Sequence, residues 1–375
     1  MRILVIPDKF KGSLTASEVI SAIRDGVLGG RPDADINSIL ASDGGDGFLD
    51  AVAENIPCNE IYMDTVDPLG RGLKASYLLN SPGRTAYIEM ARTSGLELLS
   101  PKERKVMETS TLGTGYQISD AICRGAKAVY IGLGGSATND GGIGIAHALG
   151  YRFLDNNESI LPPIGKNLAH IKSLKNNAIS AQLAPVSVFA VNDVDNPLYG
   201  TNGAAHVYAP QKGAYEKEVR ALDMGLRNLD RVVGRDLKKN FAQFPGSGAA
   251  GGTAYGLKVF LDAQFIPGID FILDLTGVRE HLKTKKYDFI ITGEGKLDRQ
   301  TLQGKLIKGV TDLGREKSIP VVVVCGECTI PEEDRTALGL HTMLEIRDFS
   351  RPLDYSLRNA SGLVKKVVQH FVSTL

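Results

Sequence analysis

The sequence predicts an α/β protein in which one parallel-sheet domain is interrupted by a second α/β domain. Three observations carry that expectation. Residues 1–58 and 283–375 alternate short apolar runs with amphipathic stretches, whereas 59–282 open with turn-linked short strands and carry glycine-rich loops. A chain of 375 residues is long for one core, and roughly 150 residues per domain suggests two. The apolar runs also end, one after another, in glycines mixed with carboxylates, hydroxyls and lysines, as strands do when they feed ligand-binding loops.

The first unit is a buried strand at 3–6, a loop DKFKGS and a helix over 16–28. That helix carries Val19, Ile20, Ile23 and Val27 on one face, with Ser13 or Thr15 as its cap. A second strand at 36–40 runs into DGGDG and a helix over 48–55. From residue 60 the texture shifts to strands at 61–64, 75–79 and 85–90, separated by DPLG and SPG turns. A helix over 109–123, entered through Thr109, Ser110 and Thr111, leads into the strand of Val129, Ile131 and Leu133.

That strand ends in the richest loop of the chain. Six glycines lie between Gly132 and Gly144, so backbone N–H groups can approach a phosphate or carboxylate with no Cβ in the way. Gly134, Gly135, Ser136, Thr138, Asn139 and Asp140 stand there, ahead of a helix beginning near Ile143. A strand at 185–191 ends in Asn192, Asp193, Val194 and Asp195. Residues 203–213 are expected to hold a strand and PQKG, followed by an amphipathic helix over 215–233. The segment PGSGAAGG precedes a helix over 253–261 and has the form of an anion site.

The last third returns to β-α alternation. A strand at 289–291 is expected to end in a loop over 292–298 that holds Gly293, Glu294, Lys296 and Asp298, with a helix reaching 316. Strands at 321–324 and 343–346 and a helix over 355–371 complete the chain. Two terminal and three late β-α units make five strands, a flavodoxin-like doubly wound sheet of order 2-1-3-4-5. The expected domains are 1–58 with 283–375, and the insertion 59–282. Ligands of such sheets bind beyond the strands' carboxyl ends. Asp8, Lys9, Lys11, Ser13, Asp43, Asp46, Glu294 and Lys296 would therefore share one edge, facing the 134–142 loop across an interdomain cleft.

Lysine plus arginine and aspartate plus glutamate both number 43, which gives no reason to expect nucleic acid or an anionic membrane. A small molecule is the expected partner. ILVIP after Met1-Arg2 is too short for a signal-peptide core, and no run nears the roughly 20 apolar residues of a membrane span. Cytoplasm is the expected address, and the oligomeric state is left open. Cys325 and Cys328 have redox spacing but read as a strand-end turn with two thiols.

DKFKGS at 8–13, DGGDG at 43–47, GGSATNDGG at 134–142, NPL at 196–198, PQKGA at 210–214, PGSGAAGG at 245–252 and ITGEGKLDRQ with GK at 291–305 form one ordered set. On these motifs the chain resembles the glycerate kinases of the bacterial glycerate 2-kinase group, type 1, over essentially its whole length. Asp46 stands where that family more often has glutamate, and its shorter stem would reach a metal or hydroxyl through water. The resemblance implies transfer of the ATP γ-phosphoryl to D-glycerate with Mg²⁺, with 2-phosphoglycerate as product.

The residue types suit that chemistry, which needs positioning, cations on phosphate oxygens and a carboxylate to take the hydroxyl proton. Lys11 and Lys296 are the phosphate cations. Asp43, Asp46 and Glu294 suit Mg²⁺ or its water shell. The base is Asp193 or Asp140, with Asp298 third. Asp8, Lys9, Ser13, Gly134, Gly135, Ser136, Asn139 and Gly293 would contact substrate or phosphate. No GxxxxGK motif followed by Ser or Thr is present, so the glycine loops cradle phosphate in another way. Gly132, Gly134, Ala137 and Asp155 also satisfy a dinucleotide fingerprint, which would make a hydroxy-acid dehydrogenase. Asn139 to Gly142, however, fall where that fingerprint needs uninterrupted helix, and glycine is costly there. A non-catalytic hydroxy-acid-binding protein is the remaining reading.

Overall fold

The computed structural model describes residues 1–42, 44–45, 47–81, 84–176, 185–298 and 306–375, without the side chains of 334, 336 and 337. Thirteen strands are described: β1 (Arg2–Val5), β2 (Asp35–Ser38), β3 (Asn59–Val66), β4 (Gly72–Asn80), β5 (Thr85–Glu89), β6 (Ala128–Gly132), β7 (Tyr151–Leu154), β8 (Ser173–Asn176), β9 (Ser187–Val191), β10 (Gln264–Ile266), β11 (Phe289–Leu297), β12 (Val321–Cys328) and β13 (Thr342–Glu345). The chain forms two compact units. One is Met1–Asp43, Glu54–Ile56 and Pro267–Leu375, and the other is Gly44–Ala53 and Pro57–Ile266.

The first unit holds a five-stranded sheet in the order β13-β12-β11-β1-β2, parallel throughout. Counted within the unit, this is the 2-1-3-4-5 order of a flavodoxin-like sheet. Ile3, Val5, Ile291, Val322 and Val324 pack with Val19, Ile23 and Val27 of the helix Ala16–Gly30 and with Val364, Val368 and Val372 of the helix Ala360–Ser373. The four-residue spacing on each helix makes that apolar face. Thr15 and Glu18 close a reciprocal capping box at the start of Ala16–Gly30, an arrangement whose loss typically costs about 1 kcal/mol.

Three sequence expectations differ here. Residues 292–297 continue β11 as strand, paired along β12 as far as Leu297 with Cys328, where the glycines suggested a loop. The glycines serve close approach instead: a Cβ on Gly326 would stand 2.2 Å from the Gly295 carbonyl oxygen. Cys325 and Cys328 therefore lie in a strand and not in a turn. Three positions apart, they point to opposite faces, and both are free thiols. Residues 267–282, expected in the insertion, belong to the first unit with the helices Gly268–Leu275 and Val278–Thr284, whereas 44–53, expected in the first domain, belong to the second unit. Ile269 packs so closely on Gly309 that a Cβ there would meet its Cγ2 at 2.5 Å.

The second unit is built on a six-stranded sheet in the order β10-β9-β6-β5-β4-β3. β10, β9, β6 and β5 run parallel, while β4 and β3 join as antiparallel neighbours. β7 and β8 form a separate antiparallel pair. Val129 and Ile131 pack in one core with Ile145 and with Leu222, Leu226 and Leu229 of the long helix Glu216–Asp236. The strand expected within 203–213 is instead a short helix, Ala204–Tyr208. Its paired alanines, both fully buried, favour helix over the extended state. Among the described residues no helix is long and apolar enough to cross a membrane.

Candidate active site

In the second unit the carboxyl ends of three neighbouring parallel strands are level, with Glu89 opposite Gly132 and Gly132 opposite Val191. The loops leaving β6 and β9 therefore start side by side. Residues 44–45 of DGGDG lie against the first of them. The Gly134 N–H donates to the Gly44 carbonyl at 2.9 Å, and a Cβ on Gly134 would stand 2.2 Å from the Gly45 Cα. The buried Glu89 carboxylate accepts the Leu49 N–H at 3.0 Å, fixing the start of the helix Phe48–Asn55. Asp43 and Asp46, the expected metal ligands, lie outside the described residues.

Further along the loop, Asp140 is fully buried. Its Oδ2 accepts from the Thr111 N–H and hydroxyl, both at 2.8 Å, and from the Gly144 N–H at 3.2 Å. Oδ1 accepts the Gly142 N–H at 3.0 Å. Burial pushes this carboxyl up, against the pull of the Thr111, Gly142 and Gly144 donors. A carboxylate so engaged braces the entry of the helices Leu112–Cys123 and Ile143–Ala148. It is poorly placed to take a substrate proton.

The PQKGA segment supplies the least expected group. Lys212 is 2% exposed, and its Nζ donates to Ser136 Oγ at 2.8 Å and to the Thr138 carbonyl at 2.7 Å. Burial pushes its ammonium down to about 7, with the Asp140 carboxylate pulling the other way. Beside those acceptors, Thr138 Oγ1 and both amide atoms of Asn139 are buried with no hydrogen-bond partner among the described residues. Such atoms cost about 1–3 kcal/mol each when left so.

PGSGAAGG, expected to form an anion site, closes over this loop. Gly251, at φ 67°, accepts the Gly141 N–H at 3.1 Å, and a Cβ on it would stand 2.1 Å from the Thr138 carbonyl oxygen. Asn196 of NPL holds the same segment by accepting the Gly248 N–H at 2.8 Å. Asp193 follows two residues after the end of β9. Gly134 is half-buried and Gly135 is exposed.

In the first unit Asp8, Lys9 and Lys11 follow β1, beside the glycines of β11. The Asp8 N–H donates to the Gly293 carbonyl at 2.8 Å, and Asp8 Oδ1 accepts the Lys9 N–H at 2.7 Å. Glu294 is buried, Lys11 and Lys296 are exposed, and Asp298 is half-buried. The Ser13 hydroxyl donates to the Leu357 carbonyl at 2.7 Å. The structure thus gathers Asp8, Lys9, Lys11, Gly293, Glu294 and Lys296 at the ends of two paired strands. Gly134, Gly135, Ser136, Asn139, Asp140 and Asp193 gather at the ends of β6 and β9 in the other unit.

Residues 3–375 match the sequence model of the glycerate kinase family. The chain belongs to the glycerate kinase family. A glycerate kinase of Halalkalibacterium halodurans is 36% identical over 371 residues, covering 98% of this chain and 96% of that protein. A glycerate 2-kinase of Escherichia coli K12 is 34% identical over 375 residues, covering 100% and 98%. The crystal structure of a glycerate kinase 2 candidate from Salmonella typhimurium LT2 superposes with a TM-score of 0.85 at 34% identity, covering 100% of this chain and 98% of that one.

Within this family member, sequence reading missed Lys212 and Glu89 as parts of the site. PQKGA marked the position of Lys212, but only its burial distinguishes it from a solvated loop lysine. The dinucleotide fingerprint finds no support, because the helix after β6 is Ile143–Ala148 and begins well beyond Gly134 and Ala137. Asp155 Oδ1 accepts the Asn157 and Ser159 N–H groups of a tight turn.

Proposed function

We propose that this chain transfers the γ-phosphoryl group of ATP to a hydroxyl of D-glycerate, yielding 2-phosphoglycerate and ADP, in a cleft between its two units. The family match over residues 3–375 carries this reading. In the transfer a bond forms from the glycerate hydroxyl oxygen to the γ-phosphorus and the β,γ-bridging P–O bond breaks. The electron pair leaves with ADP, and the hydroxyl proton passes to a carboxylate.

Asp193 is the proposed base, since it follows β9 beside the glycine loop while Asp140 is engaged as a brace. Asp298 is the next choice. Lys11 and Lys296, exposed on the ends of β1 and β11, would neutralise phosphate oxygens. Lys9, Asp8 and Gly293 would position them, with Ser13 holding the loop to the helix Leu353–Arg358. Gly134, Gly135, Ser136 and Asn139 would bind the substrate from the other side.

Among the described residues no group of three or more His, Cys, Asp and Glu side chains is placed to hold a metal by itself. Asp43, Asp46 and Glu294 suit the usual Mg²⁺ arrangement of one or two carboxylates plus phosphates. Bound there, Mg²⁺ would supply charge neutralisation across the β- and γ-oxygens. An ATP-consumption assay tests the reading. Turnover should require D-glycerate and Mg²⁺, whereas NAD reduction with a hydroxy acid in place of ATP use would overturn it.

A further inference from the structure

We propose that Lys212, Thr138 and Asn139 form a buried subsite for an oxyanion, the carboxylate of the hydroxy acid or a phosphate group of the nucleotide, whose hydrogen bonds are completed only when that ligand is bound. The proposal rests on the kinase reading for its ligands and on three features of this loop for its location. The first is Lys212. Its Nζ is held between Ser136 Oγ and the Thr138 carbonyl, two contacts that leave one donor position when the amine is protonated. The second is Asn139, a fully buried amide whose donor and acceptor both lack a partner among the described residues, next to Thr138 with an equally unpartnered hydroxyl. Buried polar groups are almost always paired, so three such atoms on consecutive residues indicate a missing partner. The third is chemical fit. One ammonium, one amide offering both a donor and an acceptor, and one hydroxyl match an oxyanion with a hydroxyl next to it.

Charge supports the assignment. Among the described residues Asp140 is the charged side chain whose field reaches Lys212, and its two oxygens are occupied by Thr111, Gly142 and Gly144. It therefore raises the ammonium's stability without neutralising it by contact. Burial holds the amine down at about 7. Above that pH it is mostly neutral in the empty protein, and an anion placed beside it would raise its affinity for a proton. Binding is then coupled to proton uptake, which is larger above about pH 7 than below it.

Isothermal titration calorimetry of the full chain in buffers of different ionisation enthalpy reads this directly, with D-glycerate and a non-hydrolysable ATP analogue titrated separately. Uptake with D-glycerate assigns the carboxylate, and uptake with the nucleotide assigns a phosphate. Uptake with neither, while both bind and turnover is normal, overturns the subsite and leaves the kinase reading intact. Absence of binding and turnover together overturns both. Lys212→Met should abolish the uptake, but it also strips a donor from Ser136 and Thr138 and can disturb folding.

Asn139→Leu, which keeps the branching at Cγ and removes both polar atoms, supplies the second readout. Without ligand its melting temperature should stay close to that of the parent, because no hydrogen bond among the described residues is lost. Affinity for the ligand that shows uptake should fall about tenfold or more. A lowered melting temperature with unchanged affinity would make Asn139 a structural residue and refute the subsite.

Discussion

Lys212 Nζ lies 2.8 Å from Ser136 Oγ, so a lysine in the turn before the long helix Glu216–Asp236 is tied to the glycine-rich loop after β6. Holding that amine in the interior has a cost that depends on pH. Its folded pKa of about 7 lies below its ordinary 10.5, so between those values the unfolded chain binds more protons than the folded one. Stability should therefore rise with pH across that window, by at most about 1.4 kcal/mol per unit from this group. Below about pH 7 both states are protonated and the contribution is flat. Urea unfolding from about pH 7 to 9 should show this rise in the parent and lose it in Lys212→Met. Equal slopes would mean that the lysine stays charged when folded.

Asp193 and Asp140, the two leading carboxylates for the base, separate by experiment. Asp140→Asn places an NH₂ group against backbone donors and should cost at least about 2 kcal/mol in urea unfolding. Asp193→Asn should leave the unfolding midpoint unchanged and lower turnover by about 10² to 10⁴. Full activity in Asp193→Asn would remove it as the base.

Lys11 is exposed in the loop after β1, so Lys11→Ala should change stability by less than about 0.5 kcal/mol. Its proposed contact is with phosphate, and kcat/KM for ATP should fall about tenfold or more. The deficit should narrow as salt screens the parent's advantage. An unchanged kcat/KM would leave Lys11 as a solvated side chain.

Much of this architecture is legible in the chain because short apolar runs and their glycine stops mark strand ends. β1, β2, β11, β12 and β13 follow from such runs, and their order follows from the rules of doubly wound sheets. β11 reads as ending at Ile291 because Gly293 and Gly295 resemble turn formers. Their purpose, close approach of Gly293 to Val324 of β12 and of Gly295 to Phe10 and Lys11 after β1, is a tertiary fact. The helix Ala204–Tyr208 was hidden by its shortness. Asn139 and Ser136 are visible as polar groups in a glycine loop, but the engagement of Asp140 depends on Thr111, far back in the sequence. Lys212 carries no local sign of burial at all. Its role emerges only when PQKGA and the loop over 134–142 are brought together.

A phosphorus NMR spectrum of the chain with ATP, Mg²⁺ and D-glycerate follows the proposed phosphoryl transfer atom by atom. The expected spectrum shows loss of the ATP γ-resonance, growth of ADP and a monoester resonance coupled to the single proton on C2, as 2-phosphoglycerate requires. A monoester coupled to the C3 methylene protons would correct the product, and ATP persisting unchanged beside D-glycerate would rule out the kinase reading.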